Sequence, residues 1–257
     1  MNKNVIVLTH GWSGSSMLAA LLGTAQYWLG DETVEKSDYD TFENRRLVEL
    51  NRRMMSELGI TDTFEHEFSI EGVVQMERRS ERLDWKPYRE FVETCERQVP
   101  WAWKDPRLTL TIRVWHRLLP VDRTAFIVLT RDDRQAWASS NIRRHVQSMA
   151  YTQAYNHGVT RSNVAFLEQH NLPYIKLSYE DLLLAPGPTL QRLNEFLGLA
   201  MTMDDLVTVS RGKLYKKSRT FGDYIVASLI YWKNYGERDE RWRRGRRGAG
   251  SSLKAQT

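Results

Sequence analysis

Apolar residues along the chain switch between two periods. Val5, Ile6, Val7 and Leu8 form a continuous β-branched run, the pattern of a strand buried on both faces. Met17, Leu18, Leu21 and Leu22 then recur at helical spacing, so the first two dozen residues predict strand, tight loop and helix. Over 42–58, Leu47, Leu50, Met54 and Leu58 share one helical face, and 86–98 turns Tyr88, Phe91, Val92 and Cys95 inward. A short aromatic strand is predicted from Trp101, followed by a helix carrying Leu108, Leu110, Ile112, Trp115 and Leu118. The clearest buried strand is 124–130. Asp132 caps the next helix, which holds Trp137, Ser139, Ser140 and Ile142. A helix over 151–170, a strand over 173–178, a helix with Leu190, Leu193, Phe196 and Leu197, and a last apolar segment over 221–235 complete the pattern.

The stretches between these runs read differently. Asp31, Glu32, Glu35, Asp38 and Asp40 make 30–41 acidic and irregular, which predicts a solvated loop. The weak pattern of 61–82 predicts the most mobile region. From 237 the chain is rich in Arg and Gly and lacks core residues, predicting a disordered basic tail over 237–257 behind a single domain over 1–236. Strands alternating with helices predict an α/β fold, a three-layer sandwich with a central, mostly parallel sheet and a P-loop-like strand–loop–helix at its start.

Composition narrows the class. A hydrophobic share of 41% in 257 residues is enough for a real core. The single cysteine, Cys95, excludes an internal disulfide and points to a reducing compartment, hence a cytoplasmic protein. No signal-peptide pattern and no apolar run long enough for a membrane span are present. The net charge of +5 suits an anionic ligand and is too diffuse to argue for nucleic acid.

Three stretches carry candidate chemistry. Between the first strand and helix, Gly11 and Gly14 allow backbone angles that other residues resist, and Ser13, Ser15 and Ser16 supply hydroxyls and a helix cap. Such a loop aims N–H groups and a positive helix end at one point, an anion site, although small-residue turns before helices also occur without one. The Walker lysine is missing, the glycines do not fit the dinucleotide fingerprint, and no Gly-x-Ser-x-Gly elbow follows the hydrolase-like His10-Gly11 string. In Lys104-Asp105-Pro106-Arg107, Pro106 fits the first turn of a helix and Asp105 its cap. Lys104 and Arg107 are either a surface ion pair with local acids or a cation set at a strand end. Arg131 ends the 124–130 strand, either as a structural cation or as a ligand group shared with Ser139, which lies near the helical face of Asp132.

Three stretches in this order resemble the sulfotransferase family, which uses 3′-phosphoadenosine 5′-phosphosulfate (PAPS). Trp12-Ser13-Gly14-Ser15-Ser16 matches four of five positions of the family's loop. Arg131 and Ser139, eight residues apart after a hydrophobic strand, have the spacing of its 3′-phosphate pair. Tyr179-Glu180-Asp181-Leu182 and Phe196-Leu197-Gly198-Leu199 match a later phrase. Lys104-Asp105-Pro106-Arg107, and Phe42-Glu43-Asn44 leading into a helix, resemble bacterial members in particular. The likeness spans residues 5–199.

The resemblance implies sulfuryl transfer from PAPS to a hydroxyl or amine of a small-molecule or glycan acceptor, with adenosine 3′,5′-bisphosphate as product. Gly11, Trp12, Ser13, Gly14, Ser15 and Ser16 would hold the 5′-phosphosulfate, Arg131 and Ser139 the 3′-phosphate, and Tyr179 would flank the adenine. Two positions depart from the family. Trp12 stands where the loop cation belongs, and Pro106 stands where the cytosolic branch has a histidine base. Lys104 is therefore the candidate cation. Glu43 is the first candidate base, followed by Asp105 and His10. No His/Cys spacing suggests a metal. A non-catalytic binder of PAPS or its product, and another P-loop-like transferase such as a small-molecule kinase, remain the alternatives. The acceptor is not legible: Trp85 and Trp101 suit either a sugar-stacking wall or core packing.

Overall fold

Strand β1 (Asn4–Thr9), the continuous apolar run, is buried along its whole length. It pairs in parallel with β4 (Ala102–Lys104) on one side and β5 (Thr124–Thr130) on the other, and β6 (Tyr174–Ser178) extends the sheet beyond β5. Val7 lies level with both Lys104 and Ile127. Because every pairing in this sheet is parallel, Thr9, Lys104, Thr130 and Ser178 all end at one edge, where open α/β sheets bind ligands. The computed structural model describes residues 3–36, 39–60, 70–210 and 219–237.

Alternate residues of the strands feed two cores, as the pleat requires. Ile6, Leu8, Trp103, Phe126 and Val128 pack among residues of α2 (Arg45–Glu57), α3 (Ile70–Arg79), α4 (Lys86–Glu96), α5 (Leu108–Trp115) and α7 (Met149–Gln169). Val5, Val7, Ala125, Ile127 and Leu177 pack against α1 (Ser15–Thr24), α8 (Tyr179–Leu184), α9 (Pro186–Leu197) and α10 (Met203–Val209). This is the three-layer α/β arrangement that the alternation predicts. Trp101 and Trp103 stack at 4.6 Å and are fully buried, so Trp101 is a core residue and not an acceptor wall. Trp85 packs half-buried on the same core. Asp132 caps α6 (Asp133–Ile142) as expected, its Oδ1 accepting from the Gln135 amide at 3.0 Å.

Two expectations are corrected. The acidic stretch is not an irregular loop: β2 (Thr33–Glu35) and β3 (Asp40–Asn44) form an antiparallel hairpin. Its acidic residues spend their charge locally, with Asp40 accepting from Thr33 Oγ1 at 2.6 Å and from the Phe42 amide at 2.7 Å. The helix predicted from residue 42 therefore starts at Arg45, capped by Asn44, and Glu43 sits on a strand. In the weakly patterned region, 70–82 is helical, and α3 buries Met76. Residues 61–69, and residues 238–257 of the predicted tail, lie outside the described residues. No described helix is long and apolar enough to cross a membrane.

Candidate active site

The loop between β1 and α1 is held open by backbone geometry. Gly14 is the N-cap of α1 with φ 81°, and no side chain caps the helix. The expected serine cap is thus absent, which leaves the first-turn N–H groups without a side-chain acceptor. Gly14 is required twice over. Its φ lies in the left-handed region, and a Cβ there would come within 2.2 Å of the Tyr179 ring. Tyr179, at the start of α8, forms the floor under the loop. Ser13 Oγ is buried and has no hydrogen-bond partner, an arrangement that fits an incoming anion.

Arg131, at the carboxyl end of β5, sits beside that loop. Its Nη1 donates to the Trp12 carbonyl at 2.9 Å, and its guanidinium lies 4.7 Å from the Tyr179 ring centroid. Burial lowers its pKa, opposed by Tyr179 and Glu180. Ser139 on α6 accepts a hydrogen bond from Arg219 Nε at 3.1 Å. Arg219 is the residue that sequence reasoning missed. Its amide donates to Gln135 and its guanidinium lies 3.8 Å from Asp223. The only sequence signal is its place at the end of the basic run that begins at Arg211.

Across the cavity, β4 delivers Lys104 to the hairpin. Lys104 Nζ lies 2.5 Å from Glu43 Oε1, 3.2 Å from the Thr41 carbonyl and 3.4 Å from Ser16 Oγ. The Lys104 side chain is 5% exposed and that of Glu43 13%, so this is a buried pair and not the surface ion pair that the sequence allowed. The candidate cation and the first candidate base are therefore bound to one another beside the loop.

The second and third bases fare differently. Asp105 is fully buried and does not cap α5, whose N-cap is Arg107. Its Oδ1 accepts from the Arg107 amide and guanidinium, and its Oδ2 from Asn51 at 2.7 Å. Both oxygens are thus committed to a structural network, which reaches the cavity wall through Arg107 while Asp105 itself does not line it. His10 is almost fully buried, and burial lowers its pKa to about 4. Its Nδ1 lies 2.8 Å from the Gly11 carbonyl, which can only accept, so Nδ1 carries the proton. Nε2 is left with no partner in the structure.

Trp12, in place of the family's cation, has φ 64° and packs its ring 4.8 Å from His145. Lys36 Nζ lies 5.9 Å from the Trp12 ring and 5.8 Å from that of Tyr39. A cation thus stands near the position from which the sequence removes one, brought by the hairpin segment read as solvated. The loop residues, Arg131, Ser139, Tyr179, Arg219, Lys104, Glu43, His10 and Lys36 line one cavity of about 310 Å³, together with Thr41, Arg52, Arg143 and Val48; Asp105 does not. Among the described residues no group of three or more His, Cys, Asp or Glu could hold a metal.

A family model described as the sulfotransferase family matches residues 4–204. No curated protein matches the chain. Among solved structures, the sulfotransferase domain from the curacin biosynthetic pathway is similar over 88% of this chain and 83% of its own, at 15% identity and a TM-score of 0.50. Sulfotransferase STF9 from Mycobacterium avium is 13% identical over 93% of this chain and 77% of its own, with a TM-score of 0.47. Sulfotransferase STF1 from Mycobacterium tuberculosis H37Rv is 14% identical over 90% and 76%, with a TM-score of 0.44. The first of these likenesses supports the fold and nothing finer.

Proposed function

The chain belongs to the sulfotransferase family, and from that premise we propose that its cavity binds PAPS and that the enzyme passes the sulfuryl group to a hydroxyl or amine of a small-molecule or glycan acceptor. One observation carries this reading. An uncapped helix end with the orphaned Ser13 Oγ, the buried Arg131 beside Ser139 and Arg219, and the Lys104–Glu43 pair all line a single cavity. The first two groups suit two separate anions, and the third suits chemistry between them and an acceptor.

When bound, PAPS supplies an activated sulfuryl group whose departure puts negative charge on a phosphate oxygen. The amides at the start of α1, with Ser13, Ser15 and Ser16, would hold the 5′-phosphosulfate. Arg131, Ser139 and Arg219 would hold the 3′-phosphate, the guanidinium groups by paired hydrogen bonds. Tyr179 supports the loop and Arg131 from beneath and is the residue that would flank the adenine. Sulfuryl transfer, like phosphoryl transfer, depends on positioning and charge stabilisation. Lys104 is within hydrogen-bonding distance of Ser16 and is the cation for the developing charge. Glu43 accepts the acceptor's proton. As its carboxylate is neutralised, its hold on the Lys104 ammonium weakens and the charge of Lys104 becomes available to the leaving side.

Thermal unfolding with nucleotides tests the reading. Adenosine 3′,5′-bisphosphate is expected to raise Tm without added metal, because a ligand that binds only the folded state stabilises it by mass action. AMP, which lacks the 3′-phosphate, is expected to stabilise far less. Equal shifts with AMP would remove the 3′-phosphate from the Arg131 site, and a requirement for magnesium and ATP would favour a kinase.

A further inference from the structure

The last described helix, α11 (Phe221–Lys233), presents a face on which nothing is packed among the described residues. Its start is specified locally: the Thr220 and Asp223 side chains cap one another's backbone amides. One side is accounted for. Tyr224, Ala227 and Tyr231 pack on Trp137 and Ala138 of α6. On the other side Phe221 is 81% exposed, Ile225 46%, Leu229 65% and Trp232 68%, with Val226 beside them at 47%. Positions 221, 225, 229 and 232 are spaced four, four and three residues apart, so they form one stripe along the helix. Tyr235 continues it and stacks on Trp232 with ring centroids 5.4 Å apart. Single exposed apolar residues are ordinary, but a contiguous stripe of them marks a contact surface.

Charge points to what the contact is. Residues 238–257 contain six arginines and Lys254 against Asp239 and Glu240. That excess accounts for the whole net charge of +5, so the preceding 237 residues are neutral as a set. The arginines begin immediately after the segment that ends the stripe.

We propose that α11 is a membrane-surface helix, which lays its apolar stripe into the headgroup boundary of a bilayer containing anionic lipid while the following arginines bind lipid headgroups. Trp and Tyr side chains favour that boundary because their rings are apolar and their tips polar. A basic run next to an apolar helix face is the arrangement that anionic surfaces attract. A second copy of this chain fits less well. A stripe on a helix about 20 Å long offers far less than the ~800 Å² per partner of a stable interface.

The test is co-sedimentation of the full chain with vesicles of phosphatidylcholine alone or mixed with phosphatidylserine. Binding is expected to the mixed vesicles, to fall about tenfold or more on phosphatidylcholine alone, and to weaken as salt is raised. The double substitution Leu229→Glu with Trp232→Glu is expected to lower binding by about tenfold or more with Tm little changed, since both side chains are about two-thirds exposed and the ring contacts of Trp232 are with Tyr231 and Tyr235 of its own segment. As an independent measurement on a near-native chain, brominated lipid in the mixed vesicles should quench tryptophan emission, and Trp232→Phe should remove most of that quenching. Absence of binding to mixed vesicles, or binding unaffected by the double substitution, overturns the proposal. So does a wild-type dimer that the double substitution converts to monomer, which would show that a second copy covers the stripe. A fall in Tm both in the double variant and in a chain ending at Glu237 overturns it too, because the chain's own tail would then be the cover.

Discussion

The two halves of the cavity are built by different means. On the side proposed for the nucleotide, Arg131, Tyr179 and Arg219 are each held against a residue of another segment. Arg131 of β5 donates to the loop after β1, Tyr179 of α8 fills the space under Gly14, and Arg219 reaches Ser139 of α6. On the acceptor side, the hairpin β2–β3 lies outside that sheet, and its side-chain hydrogen bonds from Thr33 and to Asp40 are internal to it. Lys104 ties it to the sheet, through Glu43 and the Thr41 carbonyl. The first half is redundant and preformed, as suits binding. The second is held through cations, Lys104 on Glu43 and Arg143 on Tyr39, as suits a site where charge must be redistributed during a reaction.

The comparison is broken or sharpened by substitutions whose effects should separate by half. The largest is Arg131→Ala, expected to cost about 2 to 5 kcal/mol of bisphosphate binding by calorimetry, because its loss leaves a phosphate buried beside Ser139 with fewer donors. A change within error would return Arg131 to a purely structural role. Next is a pH effect at the seam, where His10 is held neutral. Its folded pKa is lowered to about 4, against 6.5 for a free imidazole. Between those values the unfolded chain binds more protons, so stability is fully present above about 6.5 and is lost as pH falls toward 4. Denaturant unfolding should register a loss of about 3 kcal/mol over that window, and His10→Asn should flatten it.

On the acceptor side, Lys104→Ala is expected to lower kcat by about a hundredfold, with bisphosphate affinity changed far less. Glu43→Gln should do the same. In a double-mutant cycle the two effects should overlap instead of adding, since each removes the same pair. An affinity loss as large as the rate loss in Lys104→Ala would make that lysine a binder of the ground state and dissolve the division between the halves. Smallest is Lys36→Ala. As an exposed cation over the Trp12 ring it should change kcat by only about fivefold. A fall as deep as that of Lys104→Ala would move the leaving-group role to Lys36.

What the sequence made legible follows the same division. Buried strands β1 and β5 announce themselves as β-branched runs, and Ser13, Gly14 and Arg131 stand out at their ends, although the roles given to them come from the resemblance. The hairpin was illegible because β2 and β3 have no apolar run. Their pairing depends on Thr and Asp side chains bonding to nearby groups, a signal that composition reads as solvated loop. Glu43, the first candidate base, lines the cavity, but from a strand and not from the helix start where the pattern places it. Asp105 looked like a helix cap because it precedes Pro106. Its hydrogen bond with Asn51 joins residues distant in sequence, which no local pattern records. Arg219 was hidden for the same reason: its partner Ser139 is eighty residues away.

The Tyr179 ring under Gly14 has a consequence for how the site comes into being. The loop leaves the ribosome well before its floor, because Tyr179, and the strand β6 that delivers it, lie about 160 residues further along the chain. A nascent chain that already holds β1, β4 and β5 has every loop amide and Arg131 in hand, yet nothing beneath Gly14 to set the curvature of the loop. Affinity for the bisphosphate should therefore arrive in one step, when β6 docks. Ribosome-bound chains stalled before Tyr174 should be unable to retain the bisphosphate, whatever their helical content.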